Sequence, residues 1–337
     1  MGQYFVRRIL GMILVLFIVS IVTFALMHQV PGGPFDRERP LPPLVQENMR
    51  KRYNLDDPLY VQYLSYMRNA IVPTITSGEW VDEVDNDYLI NISLGFGDKL
   101  HFRWMNFGPS MTRPSRTVND VFRDNLPISG ELGMYALLVA SAIGIPLGVA
   151  AALRKNSLTD YVSMGVAVVG VSLPIIVMGP LLRYIVGVQL GWLPPTGWGE
   201  PEHAILPAFA LGFSNSALLA RLTRASLLQV LNEDYIRTAR AKGLPEQVTI
   251  WRHAMKNAMI PVVTVLGPLF AFLVTGTVVT EQVFAIPGMG KFFIQSVTNR
   301  DYSVIMGTIL LFSSFLVIAN FVVDLVYAVL DPRIRFE

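Results

Sequence analysis

Between Asp234 and Gln247 the chain reads DYIRTARAKGLPEQ, with Arg237, Arg240 and Lys242 inside six positions and Arg252 soon after. Cations clustered like this suit contact with anionic lipid or with a partner protein. The segment is also built as a helix with defined ends. Asn232 is expected to cap it, and Glu233 and Asp234 lie near the positive end of its dipole. Arg240 and Lys242 sit at the opposite end. Gly243 suits the left-handed position that closes a helix, and Pro245 stops continuation. Pro245 also suits the first turn of a second helix, PEQVTIWRHAMKNAMI, in which Val248, Trp251, Met255 and Met259 share one stripe. Two short helices joined by a glycine turn are therefore expected. From the residues alone two uses stay open: a basic loop on anionic lipid, and a helical knob for another protein's groove. Only the second gives the caps, the stop and the restart a purpose.

Other reactive patterns are incomplete. AIPGMGKFF carries Gly290 and Lys291, but Ala285 stands where a phosphate-binding loop needs its first glycine and Phe292 where it needs Ser or Thr. ATP hydrolysis in this chain is not expected, and no catalytic residue is assigned. GFGD, Gly95–Asp98, resembles the Gly-x-Gly-Asp element of intramembrane aspartyl proteases, but Asp98 lies in a polar segment with no carboxylate mate in a span. His28, His101, His203 and His253 fall in separate segments with no H-E-x-x-H, so no metal site is expected. The chain has no cysteine, which excludes disulfide and thiol chemistry.

The elements that must position the basic segment are apolar. The chain has 337 residues, 52% hydrophobic and 15% charged, and its mean hydropathy is +0.46. The apolar residues come in blocks. About 20 residues at 1.5 Å per residue cross the hydrocarbon of a bilayer. Six blocks meet that length: Ile9–Val30, Leu132–Leu153, Tyr161–Val188, Ala204–Leu222, Met259–Thr280 and Val304–Leu330. The first is too long for a cleaved signal and lacks an A-x-A site. Arg7 and Arg8 before it, Arg154 and Lys155 after the second span, and the basic group after the fourth predict cytoplasmic termini; Gln189–His203, on the other side, has no Lys or Arg. The expected fold is an all-α integral membrane protein of six transmembrane helices. Residues 31–127 form a small extracytoplasmic domain, 128–330 the core with the basic helices at about 232–257, and 331–337 a cytoplasmic tail.

Within residues 31–127, Leu59, Tyr63, Tyr66 and Ala70 follow a helical period after a start at Asp56–Pro58, and DYLINISLGFGD has strand character. Gly144 and Gly148, four apart, predict a close helix approach, with a kink at Pro146. Charges in spans need a reason. Glu131, Arg183 and Glu281 near span ends are expected to snorkel or cap, and Asp324 to pair with a basic residue. Thr264, Gly267, Pro268, Thr275, Gly276 and Thr277 in the fifth span are candidates to line a pathway. Pro287, Gly288 and Gly290 form a loop that suits an outer gate or partner contact; packing on its own bundle is the alternative.

The stretch from Tyr235 to Pro261, YIRTARAKGL…RHAMKNAMIP, resembles the inner-membrane permease subunits of ABC importers, in the dipeptide/oligopeptide branch. Their cytoplasmic loop is written E-A-A-x-x-x-G. Here Ala239 and Gly243 match, while Arg237 and Thr238 replace the Glu and first Ala. GWLPPTGW (Gly191–Trp198), EQVFAIPGMGKFF (Glu281–Phe293), NRDYS (Asn299–Ser303) and VDLVYAVLDPRIR (Val323–Arg335), with ERPLPPLV (Glu38–Val45), are similar to the oligopeptide permease B-type subunit. One departure is an insert, Lys99–Asn106, inside that subunit's G-D-F-G-P-S pattern. The resemblance implies an ATP-driven importer of peptides in a bacterial or archaeal cytoplasmic membrane. It further implies a homologous second permease subunit, two cytoplasmic ATPases that bind ATP and Mg, an extracytoplasmic peptide-binding protein, and no cofactor in this chain. Asp234, Tyr235, Arg237, Ala239, Arg240, Ala241, Lys242 and Gly243 are the residues it assigns to ATPase coupling. An ion-gradient-driven secondary transporter is the alternative; it would place ionisable groups or broken helices near mid-membrane.

Overall fold

Long apolar runs make long helices, because in lipid every backbone polar group must be satisfied inside its own element. The computed structural model describes residues 2–35, 43–77, 87–94, 100–113, 115–274 and 278–330. In it α1 spans Gly2–Gln29. Two shorter helices follow, α2 Pro43–Arg52 and α3 Leu59–Ile71, then strands β1 Thr74–Ser77, β2 Ile90–Ser93 and β3 Leu100–Trp104. The rest is helical: α4 Val118–Leu153, α5 Leu158–Ser172, α6 Ile175–Leu182, α7 Pro201–Leu231, α8 Asp234–Ala241, α9 Glu246–Val274, α10 Val278–Val283, α11 Gly290–Thr298 and α12 Tyr302–Leu330. Among the described residues, α1, α4, α7, α9 and α12 are long and apolar enough to cross a membrane, and α5 with α6 makes a sixth candidate if the bent pair is one span.

That bend corrects one expectation. The third apolar block was read as one helix, Tyr161–Val188, but the axis turns by 98° between α5 and α6. Pro174 is the cause. It offers no N–H and pushes the residue before it out of the helical region; Leu173 sits at φ −92, ψ 106. Beyond α6 the chain widens into a π-helical turn, Arg183–Gln189. A second correction concerns α9. The sequence predicts a short helix after the glycine turn. It is instead the first part of one helix from Glu246 to Val274, which relaxes into a π segment at Thr249–Ala254. Pro146, by contrast, lies inside the unbroken α4.

The chain divides into two compact units. One comprises residues 1–10, 128–288 and 315–337. Its packing rests on glycines. A Cβ at Gly144 would lie 2.5 Å from the Ser216 carbonyl oxygen, and one at Gly148 2.5 Å from that of Ala220. The expected close approach of helices is therefore present, between α4 and α7. Asp160 and Arg224 lock α5 to the same helix. Arg224 donates from Nε and Nη2 at 2.7 Å to the two carboxylate oxygens, while the Asn156 amide donates to Asp160 at 2.9 Å. Asp324 pairs with Arg8, so the expected basic partner exists.

The other unit comprises residues 11–127 and 289–314. Its sheet has the order β1-β3-β2, antiparallel throughout, with Thr74 opposite Arg103 and Ile90 opposite Trp104. The central strand β3 comes from the insert, which thus builds the sheet. Trp104 Nε1 donates to the Ile71 carbonyl at 2.7 Å and ties the sheet to α3. Below, Phe107, Val118, Phe122 and Met306 form part of one apolar core. Asp301 is only 2% exposed. It accepts hydrogen bonds from the Ser110 hydroxyl, from the Met111 amide at 3.1 Å, and from the Thr112 amide and hydroxyl at 3.2 and 2.8 Å. The expected helices at residues 43–71 and the strand in DYLINIS are present, and Pro58 rather than an acidic side chain opens α3. Gly95–Asp98 lie outside the described residues.

Candidate functional site: the basic elbow

The elbow is α8, its glycine turn and the start of α9. The capping expectation needs correction: Asn232 belongs to the end of α7, where its Nδ2 donates to the Leu228 carbonyl at 2.8 Å. Glu233 occupies the N-cap position of α8 without a side-chain cap. An eight-residue helix does not hold itself together in water. Its stability comes from a root. Ile236 and Ala239 are buried at 0% and 7% exposure. Ile236 sits among Val149 and Ala152 of α4, Leu227 of α7, and Ile250, Ala254, Met255 and Ala258 of α9. Ala239 therefore faces inward.

The turn closes as its residues dictate. Gly243 has φ +76, a conformation that side chains resist, and its amide bonds the Arg240 carbonyl at 2.9 Å. Arg240 then reaches across the turn. Its Nη2 and Nε donate at 2.6 and 3.1 Å to the two carboxylate oxygens of Glu246. Tyr235 accepts on its hydroxyl a 2.8 Å bond from Asn257 Nδ2. Arg240 is thus engaged within the elbow and does not present a free cation. What remains outward is Arg237, at 70% side-chain exposure and 3.4 Å from a 97%-exposed Asp234, together with the exposed Ala241, Lys242 and Trp251. The surface is a small basic face with an aromatic flank, carried on a root that touches three helices.

The other candidates are spread elsewhere. Thr264 is exposed and its hydroxyl donates to the Ile260 carbonyl at 2.9 Å. Gly267 is buried, and a Cβ there would lie 2.6 Å from Val323, so it serves contact between α9 and α12. Thr275 and Thr277 lie outside the described residues. In the loop after α10, Pro287 is exposed while Gly288 is buried against the carboxyl of Glu281, where a Cβ would collide. Glu281, expected to snorkel or cap, does not snorkel: it is 2% exposed and takes a 2.8 Å bond from the Ser129 hydroxyl. Gly290 is buried at the start of α11. Arg183 does cap, donating at 3.0 Å to the Val283 carbonyl that ends α10. Glu131 stays exposed beside the Tyr135 hydroxyl. Among the described residues no cluster of three or more His, Cys, Asp or Glu is placed to hold a metal.

Residues 144–336, which include the whole elbow, match the family described as binding-protein-dependent transport system inner membrane component. Residues 1–79 match the N-terminal model of such membrane components. The chain belongs to this family. The permease is 42% identical over 337 residues to the dipeptide transport system permease protein DppB of Bacillus subtilis (strain 168), with 100% of this chain and 99% of the relative covered. It is 39% identical over 338 residues to the oligopeptide transport system permease protein OppB of Salmonella typhimurium, covering 100% of both. The glutathione transport system permease protein GsiC of Escherichia coli O1:K1 / APEC is 38% identical over 339 residues, again with both chains covered in full. An inward-facing structure of the MetNI methionine ABC transporter shares the fold at a TM-score of 0.50 and 16% identity, over 63% of this permease and 96% of that chain. The permease is thus an inner membrane component of an ABC importer, and the ion-gradient alternative is set aside.

Sequence reasoning missed Ile236, Glu246 and Asn257. Ile236 carries a signal, being the one large aliphatic side chain between Asp234 and Lys242. Glu246 and Asn257 carry none, since they are six and 22 residues from their partners and meet them only through the turn.

Proposed function

We propose that this permease carries short peptides, dipeptides or oligopeptides, inward across a bacterial or archaeal cytoplasmic membrane. It forms half of the pathway beside a homologous second permease. An extracytoplasmic peptide-binding protein delivers the cargo, and two cytoplasmic ATPases supply the energy with ATP and Mg. The chain itself binds no cofactor and breaks no bond. Both termini lie in the cytoplasm and residues 31–127 form an extracytoplasmic domain, in keeping with the basic residues that flank the spans. One observation carries the reading: end-to-end similarity to peptide permeases, 42% to DppB and 39% to OppB.

In this reading the elbow docks an ATPase through Arg237, Ala241 and Lys242, with Asp234, Tyr235 and the Gly243 turn shaping the face. Ala239 and Arg240 support it from within. Nucleotide-driven closure of the ATPases moves the elbow, and rigid-body rocking of packed helices opens the pathway to alternate sides. Thr264, with Thr275 and Thr277, lines that pathway. Pro287 lies at its outer gate, with Gly288 and Gly290 shaping the loop. The test has two arms. Deleting the chain is expected to abolish uptake of labelled dialanine and trialanine by cells, and uptake at the undiminished rate overturns the cargo. Purification with Arg237→Glu and Lys242→Glu is expected to recover the permease without its ATPases, and full recovery overturns the docking face.

A further inference from the structure

The two polar bridges of the elbow both run from α8 to α9. The Arg240 guanidinium forks onto Glu246 at 2.6 and 3.1 Å, and Asn257 reaches the Tyr235 hydroxyl at 2.8 Å. Below them, Ile236 shares a core with four residues of α9, Ile250, Ala254, Met255 and Ala258. The link from α8 back to α7 is thinner, a turn at Asn232–Glu233 over Leu227. The glycine turn is closed by backbone bonds from the Gly243 and Leu244 amides to the Arg240 and Ala239 carbonyls at 2.9 and 3.3 Å, and a Cβ at Gly243 would meet nothing within 4 Å. Backbone bonds at a glycine leave such a turn free to flex. A planar, two-pronged ion pair across it removes that freedom in a way a single-point contact does not.

We propose that Arg240–Glu246 and Tyr235–Asn257 are staples that make α8 and the fifth helix, α9, one lever, so that a displacement imposed on α8 is delivered to α9. Glu246 and Asn257 are then positioning residues for coupling. This rests on the reading of α8 as the ATPase-docking helix and adds the route by which its motion enters the bundle. It also gives the continuity of α9 a purpose: force applied at Glu246 enters a helix that runs on to Val274.

The experiment uses the assembled importer in vesicles, with uptake of labelled trialanine and ATP hydrolysis measured together. Glu246→Gln and Asn257→Ala are expected to keep ATPases at wild-type stoichiometry while peptide moved per ATP falls about fivefold. Arg240→Lys, which keeps the charge and loses the fork, is expected to fall between these and wild type. The exchange Arg240→Glu with Glu246→Arg is expected to return the ratio to within about twofold of wild type, a rescue that general loss of folding does not produce. An unchanged ratio in Glu246→Gln overturns the staple. So does loss of the ATPases from that variant, because the pair would then belong to the docking surface. Failure of the exchange to restore a ratio lost in both single variants also overturns it. The docking reading fails separately, if Arg237→Glu and Lys242→Glu keep their ATPases.

Discussion

The elbow and the Ser110–Thr112 loop are both tied down by an acidic side chain, in opposite ways. At the loop, Asp301 is 2% exposed and takes bonds from two hydroxyls and two amides of the loop. At the elbow, Glu246 and Arg240 meet with side chains 57% and 43% exposed. A desolvated carboxylate with every lone pair directed is a fixed anchor, because removing it strands its donors. A half-exposed pair contributes at most about 1 kcal/mol of stability, so its two-pronged geometry sets orientation more than it holds the fold. The first suits a part whose fold depends on the contact, the second a part whose direction must be set without adding to stability.

Breaking the anchor should have the largest effect. Asp301→Ala leaves the Ser110 and Thr112 hydroxyls and two amides without an acceptor, and should cost roughly 3 kcal/mol. A lowered thermal midpoint of the purified complex would register it; Asp301→Asn should fall short of that loss. Asp160→Ala comes next, since Arg224 would be left part-buried without its carboxylate, at about 2–3 kcal/mol. Asp160→Asn with Arg224→Gln should recover part of the midpoint. Gly148→Val tests the apolar counterpart. With the Ala220 carbonyl 2.5 Å from any Cβ, overpacking should cost about 1–3 kcal/mol, visible as loss of the folded fraction in detergent. The smallest stability change belongs to the elbow face: Lys242→Glu should alter the midpoint by less than about 0.5 kcal/mol equivalent while ATPase recovery falls. If Lys242→Glu and Asp301→Ala shift the midpoint equally, the contrast between anchor and handle is wrong.

Much of this architecture was legible along the chain. The long apolar runs, the close approach at Gly144 and Gly148, and the stop at Gly243–Pro245 are local properties, set by hydropathy, side-chain size and backbone freedom. The break at Leu173–Pro174 was legible too, from what proline does to its predecessor, but the length of the apolar run concealed it. The continuity of α9 was hidden for the opposite reason: Pro245 starts a helix well, yet nothing nearby says where that helix must end.

By itself the sequence determined that this is a membrane protein, where its long apolar runs lie, and that a basic helix closed by a glycine turn follows the fourth span. Those features depend on neighbours within a few turns. Only the tertiary structure decided that Arg240 faces Glu246, that Ala239 and Ile236 form a root, that Glu281 is buried under Gly288, and that the insert supplies a central strand. Each of those is a meeting between residues that the turn of a chain brings together, and periodicity along one helix carries no record of what packs against it.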